Sequence, residues 1–272
     1  MKYGLFTCPY QRLPLEKAFA DAAAFGYDYI ELWGGRPHAY APDLLRDGIN
    51  GVMRLIDQFE IPVDVYTPEH NAYPFNYMIG SESQWEDSMA YLKSALSCGK
   101  ALNAQFTLIS VGHSGFAPPS KRRLRLIKSL KILSEEAQRL NHQIVIEPLT
   151  PMESDCCNTT IELAEVLDEI DSPVLFGMCD VVVPFVMGRN PADEVRDLKS
   201  RMAHLHMADS DGLCETHFLP GDGIVDFSTM IKGLRETGYD GRATLELVTH
   251  YIDRPSSAAE IIIRRIKETE QI

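Results

Sequence analysis

The sequence predicts a single (β/α)8 barrel, and three observations support this fold class. Short apolar segments alternate with helical patterns along the whole chain. Eight such units fit into the 272 residues at about 34 residues each, close to the usual size of a βα repeat. Several strands, such as 144–146 (Ile-Val-Ile), are continuously apolar, which is typical of parallel strands buried on both faces. No Ser-, Pro- or Gly-rich linker divides the chain, so we expect one domain over residues 1–272.

Eight segments rich in apolar and β-branched residues are predicted as strands. In chain order these are residues 3–8, 29–33, 62–66, 105–111, 143–147, 174–180, 202–207 and 242–248.

Between the strands lie segments with apolar residues at helical spacing. The predicted helices are 15–25, 49–59, 85–102, 124–140, 161–170, 192–198, 227–237 and 258–268. Gly26 and Gly238 follow the first and seventh of them as stop signals, and Thr159 can cap the fifth. A doubly wound sheet is the alternative, but its Gly-x-Gly-x-x-Gly fingerprint does not follow the first strand.

Composition excludes several classes of function. The 26 basic and 39 acidic side chains give a formal net charge of −13, which opposes binding to nucleic acid. The most apolar stretch, 173–188, is interrupted by Asp180, so we expect no membrane span. The first residues do not resemble a signal peptide, and we expect a cytoplasmic protein.

The six cysteines are scattered without a Cys-x-x-Cys pair, as expected for small buried hydrophobic residues in a reducing compartment. A zinc–thiolate site is not indicated.

Catalytic groups of such barrels lie at the carboxyl ends of the strands. The last four predicted strands carry a metal-ligating residue type there: Glu147, Asp180, His206 and Glu246. Burying ionised carboxylates is costly, and three of them around one imidazole repel one another. A divalent cation relieves that repulsion, and three oxygens with one nitrogen suit Mn²⁺, Mg²⁺ or Co²⁺. A neighbouring Lys or Arg could satisfy any one of these residues, but their recurrence on four strands favours a metal site.

Other polar or aromatic residues near strand ends are weaker candidates for substrate contacts. They are Glu153, His113, His217, Trp33 and Tyr66, each of which has a surface or core position as its alternative. We expect His204 to face the helices, opposite to His206. The segment 220–223 (Pro-Gly-Asp-Gly) has the composition of an ordinary turn, with a phosphate-binding loop as the weaker alternative.

At these residues the sequence resembles the xylose-isomerase-like superfamily of sugar isomerases and epimerases, whose metal ligands are Glu, Asp, His and Glu on strands five to eight. The resemblance spans the whole chain. Flanking segments are most similar to the fructoselysine-type 3-epimerases within it. These segments are 11–14 (Gln-Arg-Leu-Pro), 33–39 (Trp-Gly-Gly-Arg-Pro-His-Ala), 147–151 (Glu-Pro-Leu-Thr-Pro), 204–206 with 209–212, and 246–249.

The resemblance implies one divalent ion (Mn²⁺, Co²⁺, Mg²⁺, Ni²⁺ or Zn²⁺) held by Glu147, Asp180, His206 and Glu246. It also implies that Glu147 and Glu246 are the acid–base pair of a 3-epimerase acting beside the ketone of a ketose or ketosamine. Glu153 then corresponds to the glutamate that binds the substrate near its carbonyl. We expect a small sugar or glycated amino acid as substrate and a homo-oligomeric assembly.

Two positions depart from the pattern of the free-ketose 3-epimerases. Val183 and Gly212 stand where those enzymes have a histidine and an arginine that contact the sugar, which favours a modified ketose. Val183 and the acidic charge also disfavour a three-metal nuclease of the endonuclease IV type. Two other functions stay open: a sugar or sugar-phosphate isomerase or epimerase of the hydroxypyruvate isomerase or pentulose-phosphate type, and a metal-stabilised binding protein without catalysis.

Overall fold

The first and last strands of the chain pair with each other and close a parallel eight-stranded barrel. The computed structural model describes residues 1–70 and 74–271. The strands are β1 (Lys2–Phe6), β2 (Tyr29–Trp33), β3 (Val63–Thr67), β4 (Phe106–Ser110), β5 (Gln143–Glu147), β6 (Leu175–Asp180), β7 (Met202–Met207) and β8 (Arg242–Leu245). The predicted (β/α)8 barrel is therefore confirmed. The doubly wound alternative is wrong, because an open sheet would leave two edge strands unpaired, whereas here β1 pairs with β8.

Ten α-helices surround the barrel in the described part of the chain, two more than the sequence predicts. They are α1 (Leu15–Phe25), α2 (Ala41–Asp47), α3 (Asn50–Phe59), α4 (Glu82–Ala101), α5 (Pro119–Leu140), α6 (Thr160–Ile170), α7 (Val182–Val186), α8 (Pro191–Leu198), α9 (Phe227–Glu236) and α10 (Pro255–Glu270). The additional helices, α2 and α7, have seven and five residues. Such short helices hold too few turns for a 3.6-residue period to be recognised.

Helix ends follow local capping chemistry. The Thr159 side chain accepts a hydrogen bond from the Glu162 N–H, and Gly26 ends α1 in the left-handed region at φ 76°, as the sequence predicts. Helix α4 begins at Glu82, three residues before its predicted start, because Ser81 and Gln84 form a capping box.

The barrel interior is layered because alternate residues of a strand face the same side. Tyr29, Val65, Phe106, Leu108, Val145 and Met178 form an apolar inner cluster. Two residues further along five of these strands lie polar side chains: Glu31, Thr67, Ser110, Glu147 and Asp180. The apolar layer therefore forms the floor of a polar site at the carboxyl end of the barrel.

None of the helices described here combines the length and the apolar character that crossing a bilayer would require.

Candidate active site and metal centre

His206 lies at the centre of the polar layer, with its two ring nitrogens facing different carboxylates. Its Nδ1 atom lies 2.9 Å from Glu147 Oε1 and 2.9 Å from Glu246 Oε2. Its Nε2 atom lies 3.0 Å from Glu31 Oε1. All four side chains are at least nine-tenths buried as residues, so these charges meet away from solvent.

Asp180 joins this cluster through His217. The Nε2 atom of His217 lies 3.0 Å from Glu246 Oε2 and 3.8 Å from Asp180 Oδ2. Glu147, His206 and Glu246 thus place potential ligand atoms close enough to hold a metal ion, and Asp180, His217 and Glu246 form a second such group that shares Glu246. The four residues singled out at the strand ends are all brought to one place, and His217 is added to them.

The geometry around His206 fits a divalent cation. Its buried Nδ1 atom has no hydrogen-bond partner among the described residues, because neither contact with the two carboxylates has hydrogen-bond geometry. Burial opposes the charged imidazole, but Glu246, Glu31 and Glu147 outweigh it and raise the pKa of His206. A divalent cation can take the place of the proton on Nδ1, and this nitrogen beside two carboxylate oxygens is then a suitable set of metal ligands. On the other side of the ring the Glu31 carboxylate can only accept, so it fixes the ring proton on Nε2. The residues present therefore fit the group that the sequence implies.

Glu31 is the member of this site that the sequence analysis missed. Its carboxylate accepts hydrogen bonds from Thr67 Oγ1 and Thr244 Oγ1, both at 2.6 Å, and contacts His204 Nε2 at 2.9 Å. The signal was a carboxylate inside the apolar strand 29–33 (Tyr-Ile-Glu-Leu-Trp). The expectation that His204 faces the helices is wrong, since residues two apart in a strand share a face, and both histidines contact Glu31.

The two carboxylates beside His206 differ in their protonation equilibria. Burial raises the pKa of Glu147, and the nearby His206 opposes this only in part. Burial acts on Glu246 as well, but His206 and His217 outweigh it and bring the pKa of Glu246 below its usual range. Glu147 thus holds a proton more readily than Glu246 does.

A cavity of about 280 Å³ opens above these residues. Glu147, Asp180, Glu246 and His217 line it, together with Glu153 and Trp33 from the weaker candidates. Burial, and after it the nearby Glu215 carboxylate, raises the pKa of Glu153 to about 8. The Thr150 hydroxyl donates to Glu153 Oε2 at 2.9 Å and holds the side chain in place.

The structure does not bring Tyr66 and His113 to the cavity. Tyr66 is fully buried, and its hydroxyl donates to the Ala39 carbonyl at 2.7 Å, so it serves packing. His113 is half-buried, and its Nδ1 atom accepts the Gly115 N–H within its own loop. Neither residue is among the described residues that line the cavity.

The turn 220–223 is built around a carboxylate of the protein itself. Asp209 accepts hydrogen bonds from the N–H groups of Ser210, Gly221, Gly223 and Val225 at 2.7–2.9 Å. A Cβ atom on Gly223 would lie 2.4 Å from Asp209 Oδ1, so only glycine fits there. The segment is therefore an ordinary turn and not a phosphate loop, because Asp209 and the Leu219 carbonyl already use its N–H groups.

Comparisons with known proteins agree with this geometry. The family model for xylose isomerase-like TIM barrels matches residues 19–269. Fructoselysine 3-epimerase of Shigella flexneri is 40% identical over 268 residues, which cover 98% of this chain and 97% of that protein. The enzyme of the same name from Escherichia coli O157:H7 is also 40% identical, over 98% of both chains.

Among solved structures, a 3-keto-D-glucoside 4-epimerase from E. coli superposes with a TM-score of 0.82. It is 18% identical and covers 98% of this chain and 99% of its own, so the likeness shows the fold. The relatives with 40% identity along nearly their whole length are isomerases, and this chain is an enzyme of that class. From the matching family model and these full-length relatives, the chain belongs to the xylose isomerase-like TIM barrel family.

Proposed function

We propose that this protein is a metal-dependent 3-epimerase of a ketosamine of the fructoselysine or psicoselysine type. The observation that carries the proposal is the pair of carboxylates, Glu147 and Glu246, that meet 2.9 Å from one buried imidazole nitrogen at the floor of a cavity. The 40% identity to fructoselysine 3-epimerases supports the substrate class.

The metal would be held by Glu147, Asp180, His206 and Glu246. When bound, a divalent cation supplies Lewis-acid stabilisation of the negative charge that develops on the ketone oxygen during proton removal. The choice among Mn²⁺, Co²⁺, Mg²⁺, Ni²⁺ and Zn²⁺ is part of the proposal, and we favour Mn²⁺ because three of the four ligands are carboxylates.

Epimerisation needs a base on one face of the carbon and an acid on the other. Glu147 is the last residue of β5, and Glu246 directly follows β8. Because these strands are three positions apart around the barrel, the two side chains approach the cavity from different sides. We assign to one of them removal of the proton beside the ketone and to the other its return on the opposite face. Their roles exchange in the reverse reaction.

Glu153 is assigned to substrate binding. Because its pKa is raised to about 8, it carries a proton near neutral pH and can donate a hydrogen bond to a substrate oxygen. The Thr150 hydroxyl keeps it on the cavity wall.

The charge of the cavity favours a ketosamine over a sugar phosphate. The described lining residues include six carboxylates and neither Lys nor Arg, the side chains that bind phosphate. Three donors are already used: Trp33 Nε1 donates to Glu69, Ser110 Oγ to Glu147 and Thr67 Oγ1 to Glu31. A protonated amine is compatible with this surface, whereas a phosphate dianion is repelled by it.

The test is proton exchange in D₂O followed by NMR, with the Mn²⁺-loaded protein and a panel of substrates. We expect exchange at carbon 3 of fructoselysine and psicoselysine, with a higher kcat/KM than for free tagatose or psicose, and no exchange of a pentulose phosphate. Faster turnover of free tagatose would move the chain to the general ketose epimerases.

The same assay separates an enzyme from a binding protein. Ketosamine binding that survives EDTA treatment, with no proton exchange before or after it, would show a metal-stabilised binding protein instead.

A further inference from the structure

Ser110 lies directly beside Glu147 because the two residues are in register on neighbouring parallel strands. Paired residues of such strands face the same side of the sheet, and both side chains line the cavity. The Ser110 hydroxyl donates to Glu147 Oε2 at 2.6 Å, a length typical of a hydroxyl bound to an ionised carboxylate. Ser110 is 8% exposed and Glu147 is 7% exposed, so water competes little for this bond.

The backbone of Ser110 is itself fixed from two sides. Its N–H donates to His70 Nε2 at 3.1 Å, and its carbonyl accepts from the Tyr77 hydroxyl at 3.2 Å. Since a backbone N–H can only donate, His70 is neutral and carries its ring proton on Nδ1. Both His70 and Tyr77 are buried. Ser110 is therefore a rigid support for the side chain that it contacts.

This support distinguishes the two oxygens of Glu147. With Oε2 bound to Ser110, Oε1 is the atom that lies beside His206 Nδ1. Glu246 is held differently, by a hydrogen bond with the Nε2 atom of His217 at 3.0 Å. Removing the Ser110 hydroxyl should therefore disturb the Glu147 carboxylate and not the Glu246 carboxylate.

We propose that Ser110 is a positioning residue that fixes the orientation of Glu147 and thereby presents Oε1 to the metal. For its effect on catalysis this inference rests on the proposed function, whereas its effect on metal binding does not. Without the hydroxyl, the Glu147 carboxylate can adopt other rotamers, and the ligand set is no longer preorganised.

The first test measures Mn²⁺ affinity by calorimetric titration of the chelator-treated full-length protein. Ser110→Ala should bind Mn²⁺ about 10- to 100-fold more weakly, the usual cost of losing a partner of a metal ligand. Ser110→Thr keeps the hydroxyl and should bind as the wild type does. The matched control is Ser134→Ala, a buried serine of α5 that donates to the Lys131 carbonyl far from the site, and it should leave affinity unchanged.

A purely structural role would give a different pattern. In that case Ser110→Ala would lower the unfolding free energy of the metal-free protein much more than Ser134→Ala does, and Ser110→Thr would not restore Mn²⁺ binding. Equal Mn²⁺ affinity of Ser110→Ala and wild type overturns the inference, whatever the activity.

The second test uses proton exchange at saturating Mn²⁺. Ser110→Ala should lower kcat with little change in KM, and the loss should be larger for the epimer whose proton Glu147 removes. Equal losses for the two epimers contradict the inference. A wild type that binds Mn²⁺ but exchanges no ketosamine proton overturns the proposed function instead, and the Mn²⁺ titration then decides the role of Ser110 alone.

Discussion

His206 illustrates how single residues of the site are held. The Glu31 carboxylate on one side of the ring and the Glu147 and Glu246 carboxylates on the other leave one protonation pattern for metal binding, with the proton on Nε2. Asp180 completes the set from the neighbouring strand. Each of these residues offers one nitrogen or oxygen atom to the proposed metal site.

Removing one ligand should therefore remove the metal. We expect His206→Ala and Asp180→Asn to lose bound Mn²⁺ and exchange activity together, because each deletes or neutralises a ligand outright. Elemental analysis after dialysis measures the metal content. His250→Ala, an exposed histidine, is the control and should keep both. Full exchange activity in a metal-free variant would contradict the proposed mechanism.

The acid–base roles of the two glutamates predict an asymmetry between epimers. Glu147→Gln and Glu246→Gln should each lower the exchange rate at least about 100-fold, within the range for a positioned acid or base. Each epimer presents its proton to a different glutamate, so each variant should slow exchange from one epimer far more than from the other. NMR in D₂O at saturating Mn²⁺ measures both rates.

The alternative for these glutamates is a role as ligands only. An equal loss for both epimers, in proportion to the metal content of the variant, would show this. Measuring Mn²⁺ content in the same samples provides the necessary control.

Glu153 predicts a pH dependence of stability. Its pKa of about 8 in the folded state is above the usual value near 4.5, so the folded protein binds this proton more tightly than the unfolded chain does. As pH rises from about 4.5 to 8, the unfolded chain loses the proton first, and wild-type stability falls by at most about 1.4 kcal/mol per pH unit from this group.

Glu153→Gln removes that contribution. Relative to wild type, the metal-free variant should gain stability steadily between pH 5 and 8, as measured by denaturant unfolding. The exposed Glu165→Gln on α6 is the control and should show a flat difference. A flat difference for Glu153→Gln as well would show that this carboxyl titrates normally.

The sequence pointed to the residues of the proposed metal site but not to their supports. Glu147, Asp180, His206 and Glu246 could be found because charged residues at the ends of apolar strands are costly unless partnered. Ser110 gives no such signal, since a serine is common anywhere. Glu31 contacts His204 from 173 positions away in the chain, and only the closed barrel brings the two together.

At the scale of elements, the loop between β7 and α9 is organised by Asp209. Four backbone N–H groups from both ends of the loop converge on this one carboxylate, and Asp209 also pairs with Phe218 through two backbone hydrogen bonds. The loop carries Glu215 and His217, which both line the cavity. Its shape therefore determines one wall of the cavity.

Replacing this carboxylate by an amide should destabilise the loop. In Asp209→Asn the new NH₂ group faces N–H donors, and the resulting unpaired buried groups cost about 1–3 kcal/mol of unfolding free energy. Denaturant unfolding measures the loss. The matched control is Asp226→Asn in the same loop, which caps α9 and should change little because Asn is an equally good cap. Equal stability of the two variants would contradict the role assigned to Asp209.

The helices and strands themselves were largely predictable. Errors arose in short helices and at the ends of elements, where too few residues reveal the periodic pattern. The strand predicted over 242–248 ends at Leu245, and Glu246 follows it with its N–H still bonded to the Met207 carbonyl. Helix α5 begins at Pro119 and not at the predicted residue 124. The prediction missed this start because residues 119–123 are mainly basic and do not contribute to an apolar stripe.

At the scale of the whole molecule, the site joins residues from all parts of the chain. Its carboxylates and histidines come from β2 and from the second half of the barrel, and no short piece of the chain contains the complete set. A metal bound at the proposed site would therefore connect strands that lie far apart in sequence. The homo-oligomeric state stays a prediction.

Metal removal should consequently change global stability. EDTA treatment should lower the melting temperature and abolish exchange, and added Mn²⁺ should restore both, with about 2.7 kcal/mol of stabilisation at a free concentration of 100 Kd. Differential scanning calorimetry measures the shift. The control is His206→Ala, whose melting temperature should not respond to Mn²⁺. An equal response of both proteins would place the bound ion elsewhere.

The Asp209 anchor has a consequence for how substrate preference can diversify. Since both ends of the loop are tied to one carboxylate, the segment 211–216 can change in sequence while the ends of the loop stay fixed. Exchanging that segment alters the cavity wall at Glu215 while the barrel strands and Asp209 stay as they are. The Asp209 anchor thus allows this part of the cavity wall to vary while the carboxylates at the strand ends keep their places.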